Sequence, residues 1–260
     1  PGACVPNGLV QLSPDTRPDG VMDWDGCGGY HYSDSLIYGF SHTHLSGTGV
    51  ADLCDVLLMP YSSFYGDRTE DHYVSGFKHS SEAAHAGYYS VELTDAEVRA
   101  ELTASSRVGV HRYTFSTDKD AWIMLDLKHR DKLLSSGIQI TSRNEITGRR
   151  RSSSWAKDQQ VFFCIRTSIS FAEISFGISG SDTTSLDLQF GKLSAPLIVK
   201  VGISAVSIEG ARANLDAEVP HWDFDLVRKQ AEEAWNAKLN KIKIEGGTKE
   251  QQRIFYTALY

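Results

Sequence analysis

The sequence predicts a large, mainly β sandwich followed by helices, on three observations. Short runs alternating apolar and polar residues, broken by Gly, Ser, Asp and Asn clusters every ~8 to 15 residues, fill the chain from Leu9 to roughly Arg212. Within that stretch no strand pattern alternates with a long amphipathic helix, which excludes a parallel α/β sheet and its cofactor crevice. The character then changes at Pro220-His221-Trp222-Asp223, after which apolar residues recur at helical spacing.

The clearest strands are Tyr88–Leu93, Ala121–Leu127, Gln160–Ile165 and Leu197–Ile203, each of strand length and weighted toward β-branched or aromatic side chains. From Phe224 to Ile242 the residues Leu226, Val227, Ala231, Ala234, Trp235 and Leu239 fall on one helical face, with Asp223 placed to cap it. Gly246-Gly247 closes the segment that follows. A second helical pattern begins near Thr248 and runs to Phe255–Tyr260, and its apolar face implies a partner beyond the sequence given. The chain is therefore divided into a sandwich, residues 1–222, and a linker helix with the start of a helical domain, residues 223–260. A chain of 260 residues is compatible with such a sandwich as one unit.

Composition narrows the function. Hydrophobic residues make up 41% and charged residues 23%, enough apolar material for a sizeable core. A formal charge of −7, with no basic cluster beyond Arg149-Arg150-Arg151, argues against a nucleic-acid partner, which needs cations tracking phosphates. No stretch approaches the ~20 apolar residues of a spanning helix. Pro1–Pro6 has neither a basic start nor an apolar run, so any secretion signal would lie upstream of these residues. Cysteines 4, 27, 54 and 164 form no CxxC pair; free thiols are expected and a zinc ribbon is not.

The densest polar-aromatic stretch is Asp23-Trp24-Asp25-Gly26-Cys27-Gly28-Gly29-Tyr30-His31-Tyr32-Ser33-Asp34, followed by Gly39-Phe40-Ser41-His42-Thr43-His44-Leu45-Ser46-Gly47-Thr48-Gly49. Glycines permit close backbone approach, and Trp and Tyr offer flat apolar faces that suit the C–H face of a sugar ring. Composition alone equally admits Trp24 and Tyr30 as core residues beside simple turns. His42 and His44, with His31 or Asp34, have the residue types of a zinc or copper site, although His-x-His by itself is weak evidence. No Gly-x-Ser-x-Gly elbow supports a serine nucleophile. Glu101 near Arg107 and Arg112 reads as a structural ion-pair cluster.

Several of these blocks, in order, resemble glycoside hydrolase family 92: Pro6-Asn7-Gly8-Leu9-Val10-Gln11-Leu12-Ser13-Pro14-Asp15-Thr16, Gly29–Asp34, Gly39–Gly49, Glu101-Leu102-Thr103 with Arg107, Gly109, His111 and Tyr113, Gln160–Phe163, and Phe255–Tyr260. One departure is Asn7-Gly8, where the family usually has Phe-Gly. The resemblance implies a twisted β-supersandwich leading into an (α/α)6 barrel that lies beyond the residues given. It implies inverting removal of terminal α-linked mannose, α-1,2 in the first instance, from N-glycans or mannans by a secreted, periplasmic or cell-surface enzyme. Calcium is implied as cofactor, with its ligands and the catalytic acid and base in the helical domain and no catalytic or metal residue in this chain. To this domain it assigns substrate contacts at Trp24, Asp25, Cys27, Tyr30, His31, His44 and Ser46. The competing reading is a stand-alone carbohydrate-binding module without catalytic activity.

Overall fold

The structure is a computed structural model that describes residues 2–17, 24–45, 47, 49–62, 73–179 and 182–260. Along the chain run β1 (Ala3–Cys4), β2 (Gln11–Asp15), β3 (Leu36–Ile37), β4 (Gly39–Ser41), β5 (Leu57–Ser62) and β6 (Ser75–Gly76). They are followed by β7 (Ala83–His85), β8 (Tyr88–Leu93), β9 (Val98–Ala104), β10 (Val108–Phe115), β11 (Asp120–Asp126) and β12 (Lys132–Ser142). Then come β13 (Glu145–Ser153), β14 (Gln159–Thr167), β15 (Glu173–Ser179), β16 (Asp182–Lys192) and β17 (Leu197–Ser204), and finally helices α1 (Ile208–Glu218), α2 (Phe224–Leu239) and α3 (Lys249–Leu259).

The strands form a seven-stranded sheet in the order β1-β2-β4-β5-β11-β16-β15, an eight-stranded sheet in the order β12-β13-β14-β17-β10-β9-β8-β7, and a two-stranded pair of β3 and β6. Every pairing among the described strands is antiparallel. The sheets share one core, in which Leu12, Phe40, Met59 and Leu125 of the first meet Leu102, Tyr113, Phe163 and Val201 of the second. Because side chains alternate between faces, β10 turns His111 and Tyr113 into this core while Val108 and Val110 face outward.

That outward face of the eight-stranded sheet is covered by helices. Val108, Val110 and Cys164 pack beneath Ala211 and Leu215 of α1 and Phe224 and Val227 of α2. Gly202 lets α1 settle, since a β-carbon there would lie 2.5 Å from the Ala211 carbonyl oxygen. The Lys200 ammonium donates to the Val219 and His221 carbonyls at 2.8 and 3.2 Å beneath the Trp222 ring, and burial lowers its pKa to about 8. Arg112 forks onto Glu101 at 2.7 Å for both bonds and reaches Asp225 at 2.9 Å, fastening the first turn of α2 to the sheet. Glu101 is thus structural, paired with Arg112; Arg107 binds Glu218 instead.

The observed strands match the runs read from the sequence, and α2 begins at its Asp223 cap, which accepts from Leu226 N at 2.9 Å. Thr248 and Gln251 form a capping box at the start of α3. One element corrects the sequence reading: strand-like pattern was expected as far as Arg212, but Ile208–Glu218 is a helix capped by Ser207. It buries only Ala211 and Leu215, too few apolar positions to register as a helical stripe. All four cysteines are free thiols, with Cys54 and Cys164 buried.

Candidate functional site

The polar-aromatic stretch forms a loop over one end of the seven-stranded sheet, and its fixing points come from distant parts of the chain. Thr16 N donates to the Gly29 carbonyl at 2.8 Å, and Thr16 Oγ1 donates to Asp34 at 2.7 Å while accepting from His31 N at 3.0 Å. Arg17 forks onto the same Asp34 carboxylate. From the other side Arg130 donates to the Arg17 and Gly26 carbonyls at 2.7 and 2.6 Å. A glycine is required at position 29. Its φ is +92°, and a β-carbon would stand 2.4 Å from Asp15 Oδ1 and 2.8 Å from the His44 ring.

On this frame Trp24 is 77% exposed and Asp25 is exposed, while Cys27, Tyr30 and His31 are half-buried. Trp24 therefore stands outside the core, and its ring lies over Gly49, where a β-carbon would come within 3.0 Å of it. The Nδ1 of His31 accepts from Ser33 N at 3.3 Å, so the ring proton sits on Nε2. Ser46 lies outside the described residues.

His44 sits under the loop and is 7% exposed. Its Nδ1 donates to the Gln11 carbonyl at 2.7 Å, and its Nε2 lies 3.1 Å from Asp15 Oδ1 and 3.0 Å from Ser41 Oγ. Burial raises the Asp15 carboxyl pKa, but the charges of His44, His129 and Arg130 and the His44 hydrogen bond override it and hold the group well below the usual range. The Nε2 of His129 lies 3.6 Å from Asp15 Oδ2, and burial lowers the pKa of this imidazole.

Asp15, His44 and Cys54 hold their donor atoms within 4.8 Å of one another in full burial. A nitrogen, a sulfur and one carboxylate do not fit calcium, which takes six to eight oxygens. His31, Asp34, His42 and His44 do not come together as a zinc or copper site. His42 turns to His111, His44 to Asp15, His31 to Ser33 and Asp34 to Arg17, because the strand ends at Ser41 and the two histidines leave it on separate errands.

Glu82, which nothing in its sequence surroundings singles out, gathers the far side of the loop. It accepts from Tyr89 Oη at 2.6 Å, from Tyr30 Oη at 3.2 and 3.3 Å, and pairs with His79 Nδ1 at 2.5 Å. Burial and this carboxylate push both tyrosine hydroxyls well above their ordinary pKa. His79 in turn stacks on the exposed Tyr32, with ring centres 4.2 Å apart.

Beneath the Trp24 side, the segment Leu53–Val56 carries three side-chain-bearing residues at positive φ: Leu53 at 74°, Cys54 at 57° and Val56 at 59°. Such strain of order 1–3 kcal/mol per residue persists only where surroundings over-determine it. Here the buried Asp55 is the clamp, bonding Thr43 and Gln159 and forming an ion pair with Arg150, which also binds Asp131.

Comparison with known proteins agrees with this architecture. A family model described as the glycosyl hydrolase family 92 N-terminal domain matches residues 1–204, and one described as that family's catalytic domain matches residues 210–260. A secreted glycosidase of Arthroderma benhamiae is 27% identical over the whole chain, which spans 38% of that protein. The solved structure of a family 92 alpha-mannosidase from Bacteroides thetaiotaomicron is 31% identical and superposes with a TM-score of 0.88 over 100% of this chain and 38% of its own. A family 92 inverting mannosidase from Bacteroides thetaiotaomicron VPI-5482 is 26% identical, with a TM-score of 0.84, over 100% of this chain and 36% of its own. The chain thus spans well under half the length of these relatives, and it belongs to glycosyl hydrolase family 92, whose N-terminal domain it carries.

Proposed function

We propose that the full-length protein carrying this chain is an inverting exo-α-mannosidase, and that this sandwich supplies one wall of its sugar site. The observation that carries the reading is the exposed Trp24 on a glycine-shaped loop above the buried Asp15–His44 pair, in a chain of family 92. An exposed indole face on a loop fastened at Gly26, Gly29, His31 and Asp34 suits the apolar face of a hexose, with Asp25, Tyr30 and His31 as polar neighbours for its hydroxyls. His44 and Gly29 fix the floor on which those groups stand. Cys27, half-buried on the same loop, is a further contact of this reading.

This chain's carboxylates support a placement of the chemistry elsewhere. Inversion needs two carboxyl groups roughly 6.5–9.5 Å apart with a water between them, one of them unencumbered as base. Asp15, Asp55, Asp131 and Glu101 are each committed to a buried or half-buried cation. Acid, base and calcium ligands accordingly belong to the helical domain, and this chain alone is inactive. We place the boundary between the units at 222/223, where the Asp223 cap starts α2.

An α-1,2-mannoside of an N-glycan or mannan is the substrate of this reading, and a secreted, periplasmic or cell-surface location agrees with the secreted glycosidase among its relatives. No helix among the described residues is long and apolar enough to cross a membrane. Against a stand-alone binding module stands the match of residues 210–260 to a catalytic domain. The test is turnover of α-1,2-mannobiose by the full-length protein, followed by proton NMR, with and without chelator. β-Mannose as first product, lost on chelation and restored by calcium, is expected; α-mannose first, or no turnover with calcium present, would overturn the reading.

A further inference from the structure

We propose that Trp155 is a second, outer sugar platform on the same wall, which binds a hexose of the glycan beyond the residue held at the Trp24 loop. This rests on the mannoside reading above. Trp155 lies on the tip joining β13 to β14 and is 57% exposed. Its exposed indole offers a flat apolar face of the kind that suits the C–H face of a sugar ring.

The tip is not free to swing. On one side of the indole Ser154 Oγ donates to the Ala51 carbonyl at 2.9 Å, and on the other Ala156 N donates to Asp52 Oδ2 at 2.8 Å. Asp52 is itself buried, with its second oxygen accepting from Leu53 N at 2.9 Å. A further bond from Ser154 N to the Ala156 carbonyl, at 2.9 Å, closes the turn around Trp155. The backbone on both sides of Trp155 is thus fixed before any ligand arrives, which removes part of the cost of binding.

The same short segment carries Trp24. Gly49, over which the Trp24 ring lies, precedes Ala51 by two residues, about 7 Å of chain at most. Two exposed indoles are therefore both tied to residues 49–52, Trp24 through its ring over Gly49 and Trp155 through the bonds of Ser154 and Ala156 to Ala51 and Asp52, and this shared footing puts both on one end of the sandwich. Aromatic faces of this kind stack on sugar rings with little demand on linkage, so the platform would serve the length of the glycan and not the identity of the bond cut.

The experiment measures kcat/KM of the full-length enzyme on a linear α-linked mannotetraose and on an aryl α-mannoside, for the wild type, Trp155→Ala and Trp155→Phe. The expected result is that the tetraose-to-aryl ratio falls about tenfold in Trp155→Ala, through KM, and returns to within about threefold of wild type in Trp155→Phe, in the range of other aromatic stacking losses. An unchanged ratio would overturn the proposal while leaving the mannosidase reading intact. Equal loss on both substrates with a lower melting temperature would also overturn it, and would assign Trp155 to a contact with the rest of the protein. A wild type that cleaves neither substrate would instead bring down the mannoside reading and this one with it.

Discussion

The Nε2 atoms of His42 and His111 lie 3.0 Å apart in the core between the two sheets. One proton arrangement satisfies the whole chain of contacts. His42 Nδ1 donates to the Val56 carbonyl at 2.7 Å, so its Nε2 accepts from His111 Nε2, and His111 Nδ1 then accepts from Tyr113 Oη at 2.7 Å. The two imidazoles cannot both carry an extra proton without setting two N–H groups against each other across this contact.

This fixes the sign of an acid sensitivity. Burial lowers the His42 pKa from 6.5 to about 4, and burial with the nearby His42 charge lowers that of His111 well below 6.5. The unfolded chain takes up these protons as pH falls through 6.5 and the folded chain does not, so the stability is whole above pH 6.5 and drains away toward about 4. The expected slope is about 1.4 kcal/mol per pH unit for each histidine. Thermal midpoints measured across that window should fall steadily, and His42→Gln/His111→Gln should flatten the fall; a flat wild-type profile would rule the arrangement out.

Trp24 is predicted to matter for binding and not for folding, because its ring is mostly in water. In the full-length enzyme Trp24→Ala should lower kcat/KM for an α-mannoside by roughly 1 to 3 kcal/mol and barely move the melting temperature. A variant that melts many degrees lower with normal kinetics would show that the indole packs rather than binds.

Gly29→Ala is predicted to fail in the opposite way. The new β-carbon would collide with Asp15 Oδ1 and the His44 ring at a backbone φ of +92°. Either the loop lifts or the ion pair parts, and the cost should be about 2 to 4 kcal/mol, combining the left-handed backbone penalty with damage to a buried pair. Denaturant titration should show a lower midpoint at unchanged slope, with weaker binding as a consequence; wild-type stability would mean that the loop is not seated on Asp15.

How much of this was legible beforehand follows the range of the interactions. Strands such as β8, β11 and β17 announce themselves because alternation is a local property, and the Asp223 and Thr248 caps are local too. The mixture of glycine, aromatic and polar residues around Trp24 left that residue open between core and surface, and the structure puts it in water. The supports were hidden. Asp15 and His44 are 29 residues apart and Tyr30 and Glu82 are 52 apart, and only the antiparallel register and its crossovers bring them together. For the same reason His42 and His44, neighbours in sequence and candidates for one metal, serve two unrelated networks.

Glu82 gives the last prediction, because its carboxylate joins the loop to the core. One oxygen accepts from Tyr89, the other pairs with His79, and both receive Tyr30, while the His79 ring carries the exposed Tyr32 on its face. Glu82→Gln keeps the shape but replaces one acceptor oxygen with an amide donor, which faces either a hydroxyl or an imidazole that also donates. Removing one charged acceptor from such a set costs about 1 to 3 kcal/mol. Part of that loss should fall on stability, since Tyr89 is in the core. The remainder should fall on the loop, which frees Tyr30 and the Tyr32–His79 stack to tilt. KM for an α-mannoside should therefore rise several-fold while kcat changes less, and Glu82→Asp, which keeps the charge one methylene shorter, should recover part of both. If Glu82→Gln lowers the melting temperature with KM unmoved, the carboxylate holds only the core, and the tyrosines of the loop do not depend on it.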